Sequence, residues 1–370
     1  MELSYWEYKS WLSNVDFTVV GSGIVGLSCA LSLKQRFPES IILVLEKGIL
    51  PQGASSKNAG FACFGSISEI LADLKSHAEE EVVALVQQRY KGIQLLRETL
   101  GDKNIGYQHL GGHELFLSKD ESLFCRCQSK LDYVNTLLKP VFEEPPFVMH
   151  KNTFSFKGIQ PNYITHTYEG QIDTGKMMQS LLQTAYRKGI HILNGTAVHA
   201  FHDGPDSVTV SAETFEFMTK KLCIATNGFA SQFVTQEVRP ARAQVLITKP
   251  IKNLPIKGTF HFDEGYYYFR NIDNRILLGG GRNLDFKTEE TTDFGQTEII
   301  QLQLEKLLKE VILSETSFEI DHRWSGIMGV GRQKHPIIEQ ISNNVFCGVR
   351  LGGMGIAIGS LVGKELAEMV

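Results

Sequence analysis

The chain has 370 residues, enough for a large buried core and about two domains. Its 37 basic and 41 acidic side chains leave a formal charge of −4, so no basic face is expected and nucleic acid is excluded as a main partner. No apolar run is long enough to span a membrane, Met1 to Asn14 lacks an apolar signal core, and six scattered cysteines read as reduced thiols of a cytoplasmic protein with no metal site.

The first predicted element is a buried strand, Val15 to Val20. It runs into Gly21-Ser22-Gly23-Ile24-Val25-Gly26 and a helix from Ile24 to Phe37, stopped by Pro38. Gly21 allows the tight turn, Gly23 lets backbone approach a pyrophosphate, and Gly26 lets the helix pack on its strand. The helix N-terminus adds unpaired N–H groups and the positive end of its dipole. A second apolar strand, Ile41 to Leu45, ends in Glu46, twenty residues after Gly26. A carboxylate there accepts hydrogen bonds from an adenosine ribose. Strand, turn, helix, strand and acid in one unit predict a dinucleotide site.

Gly53-Ala54-Ser55-Ser56-Lys57-Asn58-Ala59-Gly60 is a donor-rich loop of small and polar residues. It suits a phosphate or the edge of a flavin ring, and equally a surface position. Glu79 to Leu100 reads as an amphipathic scaffold helix, with Val82, Val86, Tyr90, Ile93, Leu96 and Leu100 at helical spacing. From Gly111 the pattern changes. Glu114 to Leu117 is strand-like, Leu123 to Leu138 is a further amphipathic helix, and Pro145-Pro146 marks a crossover.

Asp173 caps a helix from Thr174 to Arg187. Strands are expected at Ile190–Leu193, Val208–Val210 and Leu222–Ala225. The last ends in Ala225-Thr226-Asn227-Gly228, where the carboxyl ends of strands meet ligand. Arg242 to Thr248 alternates as a strand, and Tyr266 to Arg270 is aromatic and β-prone. Asp273-Asn274 makes a hairpin turn, and Ile276 to Leu278 returns to Gly279-Gly280-Gly281-Arg282. Period two places Tyr266, Tyr268 and Arg270 on one face, with Tyr267 and Phe269 on the other. That face suits a small flat or anionic substrate, or plain sheet packing. A helix from Thr297 to Val311 completes this region.

Ile320 to Trp324 reads as a strand running into Ser325-Gly326, and Val345 to Arg350 as another. Gly352-Gly353-Met354-Gly355 then opens the final helix, Ile356 to Met369. An enzyme that uses NAD has no need of this second glycine turn. A flavin enzyme does, because free N–H groups there stabilise the charge on the N1–C2=O edge of a reduced flavin. The chain thus offers an adenosine end at Gly21–Glu46 and a flavin end at Gly352–Gly355, with FAD as the expected cofactor.

Taken together, these motifs resemble the FAD-dependent D-amino-acid oxidase superfamily, glycine and sarcosine oxidases included. The resemblance rests on the two glycine turns, Glu46, Ser55 to Gly60, Ala225 to Gly228, and Trp324-Ser325-Gly326. It implies an α/β (α+β) fold, a Rossmann-like FAD-binding domain interleaved with a substrate domain on a largely antiparallel sheet. The implied division is 1–105, 160–236 and 319–370 for FAD, and 106–159 and 237–318 for substrate. Lys47, Val198, Gly326, Arg350 and Ile356 join the cofactor residues on the same ground. The implied reaction oxidises the C–N bond of an amine or amino acid by hydride transfer to flavin N5. The imine is then hydrolysed, and oxygen is a common electron acceptor. A flavin dehydrogenase of a hydroxy acid or polyol ester, and a non-catalytic FAD-binding subunit, are the alternatives.

Two departures shape the expected site. Relatives that bind flavin covalently use a histidine in the loop after the ribose acid, or a cysteine near Trp-x-Gly. Here the loop reads Lys57-Asn58-Ala59-Gly60 and the cysteine position is Gly326, so FAD is expected to be noncovalent. The carboxylate-binding arginine two residues after Trp-x-Gly is replaced by Met328. Substrate contacts are therefore expected from Tyr266, Tyr268, Met328 and Arg270, with Arg270 meeting any anionic group.

Overall fold

The computed structural model describes residues 3–370. Val15–Val20, Ile42–Leu45, His191–Leu193, Glu216–Ile224 and Val345–Val349 form the parallel heart of one eight-stranded sheet. The apolar runs of Val15–Val20, Ile42–Leu45 and Val345–Val349, at its centre, are buried, as a parallel sheet covered by helices requires. Ile337–Ser342 closes one edge antiparallel, and Val198–Asp203 with Val208–Ala212 form a flap on Glu216–Ile224. The helices Ile24–Arg36, Glu79–Leu100 and Gly355–Glu368 pack together over one face. Their closeness depends on missing side chains. A Cβ on Gly26 would lie 1.9 Å from the Gly21 carbonyl oxygen, and one on Gly363 would lie 2.5 Å from that of Val25.

A second eight-stranded sheet runs Ile320–Val330, Arg239–Thr248, Arg275–Gly280, Tyr267–Ile272, Thr259–Phe262, Gly112–Glu114, Asn162–His166, Phe147–Lys151. It is antiparallel except where Thr259–Phe262 meets Gly112–Glu114. One face carries an aromatic core in which Phe260 and Phe269 stack at 4.7 Å, covered by the helix Glu298–Leu307. The other face turns toward the first sheet and its loops. Among the described residues, no helix is long and apolar enough to cross a membrane.

Several expectations shift. The boundaries at 160 and 319 are not where sheet membership changes, since Asn162–His166 and Ile320–Val330 both lie in the second sheet. Leu123 to Leu138 is two helices, Glu121–Ser129 and Leu131–Leu137, with Lys130 between them at φ −104°, ψ 4°. The strand expected at Glu114–Leu117 is Gly112–Glu114, with Leu117 holding only a single bridge to Ile159. The helix expected to reach Val311 ends its α-helical part at Leu307 and widens over Leu308–Ile312. Seven strands were not among those expected: Phe61–Ala62, Phe147–Lys151, Asn162–His166, Gly170–Gln171, Val198–Asp203, Thr259–Phe262 and Ile337–Ser342. All six cysteines are free.

Candidate active site

The first glycine turn is built as its sequence requires. Gly21 has φ +104°, and a Cβ there would lie 2.7 Å from the Ala225 carbonyl oxygen on the neighbouring strand. Glu46 is buried at the end of the second strand. One carboxylate oxygen accepts from the Ser22 N–H at 3.1 Å and its hydroxyl at 2.8 Å; the other accepts from the Gly48 N–H at 3.0 Å. The carboxylate therefore fixes the turn. The Ile24 N–H, at the start of the helix, donates to the Ser55 hydroxyl at 3.0 Å. Ile24, Val25 and Gly26 are buried beneath the turn.

Beside this turn lies a cavity of about 480 Å³. Of the predicted residues, Gly21, Gly23, Glu46, Lys47, Ser55, Val198, Ala225, Thr226 and Asn227 line it. The Lys47 ammonium stands 3.7 Å from the Phe229 ring centroid, and burial lowers its pKa. Thr226 presents a buried hydroxyl oxygen with no protein partner. Thr196, Phe229, Thr292 and Asp293 also line the cavity and were not anticipated. Their types carry no motif, and long-range folding brings them there.

Other predicted cofactor residues build the walls. Ser56 turns its hydroxyl to the Pro51 carbonyl at 2.5 Å. The Asn58 amide donates to the Ser55 carbonyl at 2.8 Å, and its oxygen accepts from the Gly60 N–H at 2.8 Å and the Thr174 hydroxyl at 2.9 Å. Asn58 thus closes the loop on itself and on the helix Thr174–Arg187. Asn227, at φ +44°, accepts from the N–H groups of Arg350 at 3.1 Å and Leu351 at 3.2 Å. That ties the end of one strand to the second glycine turn. Gly228 belongs to this crossing, where a Cβ would come 2.6 Å from the Met328 carbonyl oxygen. The Arg350 side chain leaves the cavity and donates to the carbonyls of His335 and Glu237, so only its backbone serves the turn.

The second turn is open. A Cβ added to Gly352, Gly353 or Gly355 meets nothing within 4 Å. Met354 caps the helix Gly355–Glu368 without a side-chain bond, so the first N–H groups stay free. Ile356 is buried under them, and the Met354 sulfur lies 3.8 Å from Cys63 Sγ. Gly326 faces the loop, with its Cβ direction 3.1 Å from Lys57 Cβ, and Trp324 donates to the Lys57 carbonyl at 2.9 Å. A cavity with an orphaned hydroxyl, followed by a cradle empty of side chains beneath free N–H groups, suits an elongated dinucleotide such as FAD.

The aromatic strand divides as its period dictates. Tyr267 and Phe269 enter the core. Tyr268 is half-buried on the opposite face, edge-on to Phe61 at 5.7 Å and over Gly279. Burial pushes its phenol up to about 12, so it stays protonated and can donate. Tyr266 lies just outside the strand, exposed, with its ring 6.1 Å from Phe286. Met328 is half-buried, paired with Ala241, on the strand face of Trp324 and Gly326.

Arg270 is held by backbone from distant loops. Its side chain is buried and donates to the carbonyls of Ala59 at 3.2 Å, Gly60 at 3.1 Å, Ile172 at 2.5 Å and Asn271 at 3.2 Å. Desolvation lowers its pKa to about 10. Arg270 is a clamp on the loop Ala59–Gly60. A strand face alone could not reveal those acceptors, which come from distant segments of chain.

The family model described as DAO, FAD dependent oxidoreductase, matches residues 16–369. Gamma-glutamylputrescine oxidoreductase of Escherichia coli is 23% identical over 376 residues, covering 96% of this chain and 83% of the relative. A probable oxidoreductase OrdL of Haemophilus influenzae is 19% identical, covering 97% and 83%. Among solved structures, glycine oxidase from Geobacillus kaustophilus superposes with a TM-score of 0.75 at 17% identity, covering 96% of this chain and 94% of that one. L-Proline dehydrogenase from P. horikoshii gives 0.75 at 17%, covering 96% and 93%. The structural likenesses establish the fold, and with the match along nearly the whole length, this chain belongs to the DAO family of FAD-dependent oxidoreductases.

Proposed function

We propose that the protein oxidises the carbon–nitrogen bond of an amine or amino acid, with FAD bound noncovalently across the two glycine turns. The observation that carries this reading is an open, side-chain-free turn at the head of a helix that packs on Phe61–Ala62, with the half-buried Tyr268 edge-on to the Phe61 ring. Names among the relatives, gamma-glutamylputrescine oxidoreductase and glycine oxidase, support the substrate class.

In this reading the backbone at Gly21 and Gly23, with Ser22, Ser55 and the helix start, holds the pyrophosphate. Glu46 and Lys47 serve the ribose side, and Val198, Ala225 and Thr226 enclose the adenosine. Gly352 to Gly355 and the N-terminus of the last helix hold the ring system, backed by Ala59, Gly60 and Gly326. Bound FAD supplies the two-electron acceptor for the substrate's hydride. Tyr268 orients the substrate by donating a hydrogen bond, and its raised pKa excludes it as a base at neutral pH. Met328 offers a soft apolar wall. Oxygen is the proposed electron acceptor. Six free thiols fit work in a reducing compartment.

Product analysis tests this. The FAD-loaded protein, given amines, amino acids and 2-hydroxy acids in air, should release ammonia or a smaller amine together with a carbonyl compound and peroxide. Turnover of hydroxy acids alone, with no nitrogen released, would overturn it.

A further inference from the structure

Resting on the reading that FAD lies in the cavity beside the first glycine turn, we infer that Thr292, Asp293 and Phe294 form a strap that holds the cofactor in place, with Asp293 accepting from one of its sugar-chain hydroxyls. The strap belongs to the connection between the strand Arg275–Gly280 of the second sheet and the covering helix Glu298–Leu307. Thr292 and Asp293 line the cavity with Gly21, Glu46, Lys47 and Ser55, yet both are exposed, so they stand at its rim. The rest of the lining, Ile327 apart, comes from residues 20–55 and 196–233, the strands and loops of the first sheet. The strap is pinned on both sides of Phe294. The Asp293 carbonyl accepts from Arg242 Nη1 at 3.4 Å, and Arg242 is fixed by Glu289 through two bonds of 2.8 Å. The Gly295 N–H donates to the Ser325 hydroxyl at 2.9 Å. Gly295 takes φ +147°, which glycine adopts without strain.

Phe294 ties the strap to both ends of the cofactor site. Its ring lies 6.4 Å from that of Phe229, and the Lys57 ammonium stands 5.2 Å from its centroid. Phe229 in turn carries the Lys47 ammonium at 3.7 Å. Lys47 follows the ribose acid Glu46, and Lys57 lies in the loop whose carbonyl accepts from Trp324. The strap's own polar groups are a carboxylate and a hydroxyl. A carboxylate beside a pyrophosphate would set like charges together, so the phosphates are left to the glycine turn. A hydroxyl donating to that carboxylate makes a charge-assisted hydrogen bond instead. FAD carries such hydroxyls on its adenosine ribose and on its ribityl chain, either side of the pyrophosphate. A cavity walled by the first sheet and rimmed by a segment of the second releases its cofactor only when that segment moves aside.

The test follows binding and release of FAD, without turnover, for wild type, Asp293→Ala, Phe294→Ala and Phe294→Leu. Each FAD-loaded protein is diluted and the fluorescence of freed FAD is followed in time; each apoprotein is titrated with FAD and with ADP. Phe294→Ala should release FAD at least about tenfold faster than wild type. Phe294→Leu should fall between, and it carries the test where the alanine variant fails to fold. Asp293→Ala should weaken FAD by about five- to tenfold, the loss of one charge-assisted hydrogen bond. Weakening of FAD and ADP alike places the bonded hydroxyl on the adenosine ribose; weakening of FAD alone places it on the ribityl chain. Apoprotein melting should be unchanged in Asp293→Ala, whose side chain is exposed. A lower melting temperature there, an unchanged FAD affinity in Asp293→Ala, or an unchanged release rate in both Phe294 variants would overturn the assignment. If Gly353→Ala still weakens FAD in the same titration, the cofactor reading stands without the strap; a wild type that binds no FAD defeats both.

Discussion

Glu46 and Arg270 are both buried, charged and tied to backbone, yet only one could be read from its position. Glu46 lies within one βαβ unit, so spacing from Gly26 finds it, and the structure adds that it also braces Ser22 and Gly48. Glu46→Ala should weaken FAD by about 1–3 kcal/mol, measured by titrating apoprotein with FAD. Acid precipitation of the wild type should release all flavin into the supernatant; flavin left in the pellet would contradict noncovalent binding. Arg270 accepts its role from carbonyls 98 to 211 residues away in the chain, which no local pattern carries. Arg270→Leu would strand those buried carbonyls, each worth about 1–3 kcal/mol. The expected outcome is a large fall in melting temperature with loss of FAD, and a stable, FAD-loaded variant altered only in substrate affinity would refute the clamp.

Elements with strong periodicity were legible to within a residue or two. Glu79–Leu100 and Thr174–Arg187 form as read, the latter capped by Asp173 accepting from the Lys176 N–H at 3.0 Å. Val198–Asp203 and Ile337–Ser342 were missed because they are edge strands with few buried residues and weak alternation. The glycines of the last helix and its neighbours separate packing from binding. A Cβ on Gly92 would lie 2.0 Å from the Ala357 carbonyl oxygen, where the scaffold helix crosses the last one. Gly92→Ala should therefore cost about 1–3 kcal/mol of stability, seen as a lower melting temperature of the apoprotein. Gly353→Ala points its methyl into open space. It should leave apoprotein melting unchanged and weaken FAD binding. Unchanged FAD affinity would show that the open turn is not the flavin cradle.

Across the whole molecule, buried ionisable groups set the response to pH. Burial pushes Glu114 up to about 7 and Glu169 up to about 8 from an ordinary 4.5, while it pulls His113 down to about 4 and His166 to about 3 from 6.5. The carboxyls, raised in the folded state, give stability that is complete below 4.5 and lost as pH rises through 7 to 8. The imidazoles, depressed, give stability that is complete above 6.5 and lost as pH falls toward 3. Below 6.5 the two trends oppose each other. Between pH 6.5 and 8 the carboxyls dominate, and stability should fall by about 2 kcal/mol. Denaturant unfolding across that window checks this, and Glu169→Gln should flatten the slope.

The two-sheet architecture follows from patterns in the chain, because a parallel run of buried strands and an alternating aromatic hairpin demand different partners. The crossing that fixes the active site does not, since Asn227, Met328 and Arg350 meet only after both sheets form. The most direct test of the central claim is anaerobic photometric titration of the FAD-loaded protein with a panel of amines and amino acids. The account predicts that the yellow absorbance is lost in proportion to amine consumed, with full bleaching at equal amounts of amine and FAD. Flavin that stays oxidised with every amine and is bleached by a 2-hydroxy acid would contradict it.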